Sequence, residues 1–212
     1  MQIENILFDL DGTLIDSVGG IQFAIEGAIG SVLPDLKIPN FKLSIGPPIR
    51  ELLEQGLTDV KPEVLDEIVR RFREIYDQDG WKQSVSYEGV DSTLELLQQL
   101  QVKQWIVTNK PILPTRKIIN HLNLSRFFRD VFSPDCYTPH FPSKADMVVA
   151  LIDQYGLNPD TTLLVGDSCD DALAASSSKI AFAAATYGYG RVHLISDLPI
   201  TYQLSQFTDI LN

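Results

Sequence analysis

Four short apolar runs constrain the fold more than anything else in this chain. They lie at residues 3–8, 104–107, 161–165 and 180–184, and each stops at a polar or glycine cluster. Runs of that length and character predict central strands of a parallel sheet, buried on both faces. A weaker candidate lies at 130–132. Between the runs the apolar spacing becomes helical. Asp91 is placed to cap a helix that carries Leu94, Leu97 and Leu100 on one face. Pro114 is placed to open the next, with Ile118, Ile119 and Leu122 inward. Ser143 and Asp146 stand at capping-box spacing ahead of Val148, Leu151, Ile152 and Tyr155, and Gly156 can end that helix. Strands alternating with helices from Gln83 onward predict βα units and a doubly wound parallel α/β sheet.

Residues 17–84 follow another pattern, with no convincing strand. Ile21, Ile25, Ala28, Ile29 and Val32 repeat at helical spacing, and so do Ile49, Leu52 and Leu53. A third face runs through Leu65, Ile68, Val69, Phe72, Ile75 and Tyr76 behind Pro62. The expected organisation is a core domain from 1–16 and 85–212, interrupted by a helical insert at 17–84. A chain of 212 residues is long enough for one such core carrying a smaller domain.

Charge excludes several partners. The formal net charge is -11, so the chain carries no footprint for nucleic acid or an anionic membrane. Any phosphate site must bring its own positive charge from a metal, a lysine or helix N-termini. No apolar run approaches the roughly 20 residues of a membrane span. Cys136 and Cys169 give no disulfide framework, and His121, His140 and His193 show no metal spacing. A cytoplasmic protein, monomer or homodimer, is expected.

The run at 3–8 leads directly into Asp9-Leu10-Asp11-Gly12-Thr13-Leu14-Ile15-Asp16. Two carboxylates two residues apart, at the carboxyl end of a buried strand, stand where open α/β sheets bind ligands. Taken alone, the segment also reads as an ordinary Asp/Gly turn. The rest of the chain decides between the two readings. Asp-x-Asp-Gly-Thr-Leu-x-Asp resembles the first motif of the haloacid dehalogenase superfamily. Ile106-Val107-Thr108-Asn109-Lys110 resembles its second, Lys144 falls where its third motif's lysine belongs, and Val165-Gly166-Asp167-Ser168-Cys169-Asp170-Asp171 resembles its acidic fourth. Ile45-Gly46-Pro47-Pro48, Tyr87-Glu88-Gly89-Val90 and Thr186-Tyr187-Gly188-Tyr189-Gly190 resemble the phosphoglycolate-phosphatase-like group. That resemblance implies a Rossmann-like sheet with the insert as a helical cap, which closes over substrate and excludes water.

The chemistry explains the residue types. An ionised Asp9 can attack phosphorus and form an aspartyl phosphate. Asp11 can protonate the leaving alkoxide and then take a proton from water. A dehalogenase needs no such donor, so the second Asp favours phosphoryl transfer. Several carboxylates beside a phosphate call for a hard divalent cation, and oxygen ligands select Mg²⁺. The resemblance implies the Asp9 carboxylate, the Asp11 carbonyl and Asp167 as its ligands, with Asp171 acting through water or by holding Lys144. Gly12 permits the tight turn at the phosphate. Thr108 and Asn109 offer a hydroxyl and backbone amides to phosphoryl oxygens. Lys144 would neutralise nucleophile and phosphate together, with Lys110 as the fallback cation. Arg50 reads first as a solvated helix residue and second as a carboxylate binder. Gly188-Tyr189-Gly190 lacks the third glycine and acidic partner of a dinucleotide loop, which is therefore rejected.

The expected function is a Mg²⁺-dependent phosphatase acting on a small phosphorylated metabolite such as phosphoglycolate. A phosphomutase of the β-phosphoglucomutase type is the nearest alternative, distinguished by isomer formation in place of phosphate release. A non-catalytic phospho-receiver or binding module is the alternative of another class, against which the second Asp and the cap argue.

Overall fold

The computed structural model describes residues 2–39, 41, 48–190 and 199–211. It divides into two compact units, Met1–Asp16 with Ser86–Asn212, and Ser17–Val85. The segment 45–47 of the glycine-proline motif, and His193, lie outside the described residues.

The first unit is built on a six-stranded sheet. Its strands are β1 (Asn5–Phe8), β4 (Lys103–Val107), β5 (Val131–Phe132), β6 (Thr162–Gly166), β7 (Ala181–Ala185) and β8 (Tyr202–Leu204), in the order β5-β4-β1-β6-β7-β8. Every pairing is parallel, and β1 lies between β4 and β6 in the registers Phe8↔Ile106 and Phe8↔Val165. Two more short strands, β2 (Ile15–Asp16) and β3 (Val85–Ser86), pair where the chain leaves and re-enters this unit.

The sheet residues are apolar because both faces are covered. Leu7, Trp105, Val107, Leu164 and Phe182 face α6 (Lys144–Tyr155) and α7 (Cys169–Ser177), which add Met147, Val148, Leu151, Ala172 and Ala175 to one core. On the opposite face Phe8 packs against Phe128 and Phe207, and α4 (Val90–Gln99) lies against β4. α5 (Ile112–His121) buries Ile118 and Ile119. Chain direction across the sheet reverses at β1 and β6. The carboxyl ends of those two strands therefore form the crevice where such sheets place ligands.

The sequence expectations for the strands hold to within a residue or two at each end. Three local features differ. Gly89 caps α4 in the left-handed region (φ 79°), with Asp91 inside the first turn, and Leu100 is solvent-facing at 63 % exposure. That helix ends before Leu100, which takes the cap position, so its side chain falls off the buried stripe. α5 opens at Ile112 behind Pro111, and Pro114 sits inside the first turn, where its missing N–H leaves no bond unmade. Strand β8 was not foreseen. It is an edge strand, and only Leu204 of its three residues is buried.

The second unit is helical. It comprises α1 (Val18–Val32), α2 (Ile49–Gly56) and α3 (Pro62–Gln78), with α1 against α3 and α2 against α3. Ile25, Ala28 and Ile29 meet the stripe Leu65, Ile68, Val69, Phe72 and Tyr76, as helical spacing predicts. Arg50 is the solvated residue expected first, pairing with Glu54 (3.1 Å) and Asp66 on the exposed surface. No helix among the described residues is long and apolar enough to cross a membrane.

Candidate active site

Asp9 and Asp167 follow directly on β1 and β6. Because these strands are neighbours, two residues 158 positions apart are brought together. Asp9 continues the ladder, its N–H donating to the Val165 carbonyl (2.9 Å). Carboxylate oxygens of Asp9, Asp167 and Asp171 all lie within 4.8 Å of one another, and all three residues are buried.

Helix caps deliver two of the other charges. Ser143 caps α6, its hydroxyl accepting from the Asp146 N–H (3.2 Å), which puts Lys144 at the first helical position. Ser168 caps α7 in a reciprocal box with Asp171, whose Oδ2 accepts from the Ser168 N–H (3.0 Å) and hydroxyl (2.5 Å). Adjacent first turns of α6 and α7 then meet. Lys144 Nζ donates to Asp9 Oδ1 (2.8 Å) and Asp171 Oδ1 (2.6 Å), with its side chain only 3 % exposed. Asp171 thus has one oxygen on Lys144 and the other on Ser168, an arrangement that favours holding the lysine over binding a metal directly.

Asp11 stands apart from this cluster. Its two carboxylate oxygens each accept from Lys110 Nζ at 2.8 Å. The two chain segments are 99 residues apart, and nothing in either motif foretells the pairing. Thr108 is buried at the end of β4, and its Oγ1 accepts from the Lys110 N–H (3.2 Å), so its own hydrogen can turn toward a phosphoryl oxygen. The Asn109 side chain is exposed and donates to Asp170 (2.9 Å), which leaves only its backbone amide for the role expected of it.

Glycine closes the site. Gly12 has φ +81°, and a Cβ there would stand 2.0 Å from Asp167 Oδ2. The loop at Gly188 and Gly190 closes on the same carboxylate. The Gly190 N–H donates to Asp167 Oδ2 (2.7 Å), and a Cβ on Gly188 would meet the Gly12 carbonyl at 2.3 Å. Tyr187 braces this arrangement by donating to the Thr13 carbonyl (2.7 Å) and setting its ring edge-on to Tyr87. The paired glycines Gly188 and Gly190 are the sequence signal for this role.

Electrostatics follow from burial. Burial pushes the Asp9 carboxyl up to about 7, against the pull of Lys144 and with a further push from Asp171 and Asp11. Burial, then the charges of Asp9 and Asp171, push Asp167 up to about 8, opposed by the Gly190 N–H. For Lys144, burial favours the neutral amine, but Asp171 and Asp9 outweigh it and raise its pKa. Burial likewise raises the Tyr187 phenol. Two carboxyls held this far above their normal range make a donor set of hard oxygens short of positive charge. The set fits a divalent cation of the Mg²⁺ type.

Comparisons with known proteins identify the family. The family model of haloacid dehalogenase-like hydrolases matches residues 6–185. Phosphoglycolate phosphatase 1 of Pseudomonas aeruginosa is 30% identical, over 97% of this chain and 78% of that protein. Phosphoglycolate phosphatase of Vibrio vulnificus strain YJ016 is 34% identical, over 92% of this chain and 89% of its own length. Among solved structures, a haloacid dehalogenase-like family hydrolase from Streptococcus pneumoniae superimposes with a TM-score of 0.88 at 24% identity, covering 99% of this chain and 97% of its own. That likeness concerns the fold.

Proposed function

The chain belongs to the haloacid dehalogenase-like hydrolase family and is a phosphatase within it, and we propose that it hydrolyses a small phosphate monoester, phosphoglycolate or a similar phosphorylated carboxylate, by way of an aspartyl phosphate on Asp9 and with Mg²⁺. The observation that carries this reading is the buried convergence of Asp9, Asp167 and Asp171 with Lys144 bridging the first and last.

In this reading an Asp9 oxygen attacks phosphorus while the bond to the leaving oxygen breaks. Asp11 gives its proton to that oxygen. Water then attacks the aspartyl phosphate while Asp11 takes a proton from it; the bond from phosphorus to the Asp9 oxygen breaks, inorganic phosphate is released and the Asp9 carboxylate is regenerated. Lys144 holds Asp9 in place and offsets charge on the nucleophile side. The Thr108 hydroxyl and the Asn109 backbone amide hold phosphoryl oxygens, whose charge is stabilised mainly by fixed dipoles. Asp9, Asp167 and the Asp11 carbonyl would hold the Mg²⁺, with Asp171 retaining Lys144; the ion supplies charge neutralisation of the phosphoryl oxygens. The helical unit Ser17–Val85 takes the role of the cap.

The test is a phosphate-release screen over phosphorylated metabolites, with Mg²⁺ and with EDTA. Mg²⁺-dependent release from phosphoglycolate is expected. Conversion of a sugar phosphate to its isomer, or no turnover of any ester, would overturn the reading.

A further inference from the structure

We infer that Lys110 is a specificity-determining residue of the site, binding a carboxylate or similar anionic group on the leaving alcohol of the substrate. This rests on the phosphatase reading and adds the part of the substrate that the reading leaves unrecognised.

Among the described residues two ammonium groups serve the site, and they serve different ends of the reaction. Lys144 lies against Asp9 and Asp171, 2.8 Å and 2.6 Å away, on the side of the nucleophile. Lys110 lies 2.8 Å from both oxygens of Asp11. In an in-line displacement the attacking and leaving oxygens stand on opposite sides of phosphorus. The group that protonates the leaving oxygen must be within hydrogen-bond reach of it. Lys110, one further hydrogen bond beyond Asp11, is therefore within about 6 Å of the leaving oxygen. In glycolate the carboxyl carbon is two bonds from that oxygen, so its charge falls beside Lys110 and remote from Lys144.

Charge balance points the same way. Among the described residues, Asp9, Asp11, Asp167 and Asp171 face Lys110 and Lys144. An ester whose alcohol is also anionic adds a negative charge that needs a cation on the leaving side, in a protein of net charge -11. Lys110 is held for this role. Its N–H is fixed on Thr108 Oγ1 (3.2 Å), the following helix is anchored by the Ile112 N–H donating to Asp135 (2.8 Å), and its side chain is only 8 % exposed. An incoming carboxylate can take over part of the ammonium's hydrogen bonding and let Asp11 turn to the leaving oxygen. A neutral alcohol brings no such group.

The experiment compares kcat/KM for 2-phosphoglycolate and for ethyl phosphate, which lacks the carboxylate, in wild type, Lys110→Met and Lys110→Arg with Mg²⁺. The ratio cancels any effect common to both esters, including a loss of active protein or a disturbed Asp11. Lys110→Met is expected to lower the preference for phosphoglycolate at least tenfold, chiefly through KM, and Lys110→Arg to keep most of it. Dissociation constants of the same esters in Asp9→Asn and Asp9→Asn/Lys110→Met give the ratio if turnover is too slow to follow. An unchanged ratio in Lys110→Met removes the assignment and leaves the phosphatase reading standing. Failure of the wild type to release phosphate from either ester removes both.

Discussion

At the scale of single residues, the site's chemistry separates into groups that react and groups that make room. Asp9→Asn is expected to abolish phosphate release, because an amide is no nucleophile. Asp11→Asn should still bind metal and substrate but lose on the order of 10²–10⁴-fold in kcat. Wild-type turnover by the first variant would sink the mechanism. Gly12 makes room. A Cβ there would overlap the Asp167 carboxylate and would sit on a left-handed backbone (φ +81°). Gly12→Ala is therefore expected to weaken Mg²⁺ binding, measured by calorimetry, on the order of 10–100-fold, with a smaller loss of thermal stability. Part of this was legible beforehand. Asp9 and Asp167 each follow an apolar run read as a strand, and strand order brings those two ends together, whereas Lys144 and Asp171 were expected from the family resemblance. The Lys110 pairing with Asp11 was not legible. It depends on how two loops approach one another after the sheet has formed, and both residues sat in the sequence with other expected tasks.

At the scale of elements, the two helix starts are as informative as the strands. Ser143 and Ser168 each cap a helix whose first turn carries a site residue, Lys144 at the first position and Asp171 at the third. Removing either hydroxyl should cost about 1 kcal/mol through the lost cap. The two variants should differ in function. Ser168 also donates to Asp171 Oδ2, whereas the Ser143 hydroxyl donates to Asp146, which is outside the site. Ser168→Ala is expected to lower kcat severalfold beyond any change in Ser143→Ala, and equal rates in the two would show that the Ser168 hydroxyl does not hold Asp171 for catalysis. The first spacing was visible as a capping box. The second was hidden in the acidic loop, where Asp171 had been assigned by resemblance alone. Legibility of the strands follows burial in the same way. β1, β4, β6 and β7 are buried almost throughout and announced themselves, whereas β8 is an edge strand with two of three residues exposed and carried no periodic signal.

At the scale of the whole molecule, the site sets a pH dependence of stability with a definite sign. In the metal-free protein burial pushes the Asp9 carboxyl up to about 7 and the Asp167 carboxyl up to about 8, both well above the ordinary range. Between about pH 4 and pH 8 the folded state therefore holds protons that the unfolded chain has already lost. Stability falls as pH rises whenever the folded state binds more protons. The EDTA-treated protein should thus be more stable at pH 5.5 than at pH 8.5, by on the order of 1 kcal/mol or more, and melt at a higher temperature there. The raised Lys144 does not enter, since its stabilising charge is present throughout this window. Mg²⁺ bound as proposed is expected to reverse the trend. It competes with protons for the same oxygens, so its stabilisation should grow with pH and its binding should release protons. The chain's overall negative charge also relaxes in acid, so the slope must be tied to the site. Asp167→Asn supplies that link, because it removes one displaced titration and also relieves Asp9 of a repulsive neighbour. Scanning calorimetry of the metal-free variant should show a flatter dependence of Tm on pH and a reduced response to Mg²⁺. A slope identical to wild type would mean that the buried carboxyls are not the groups that take up the protons.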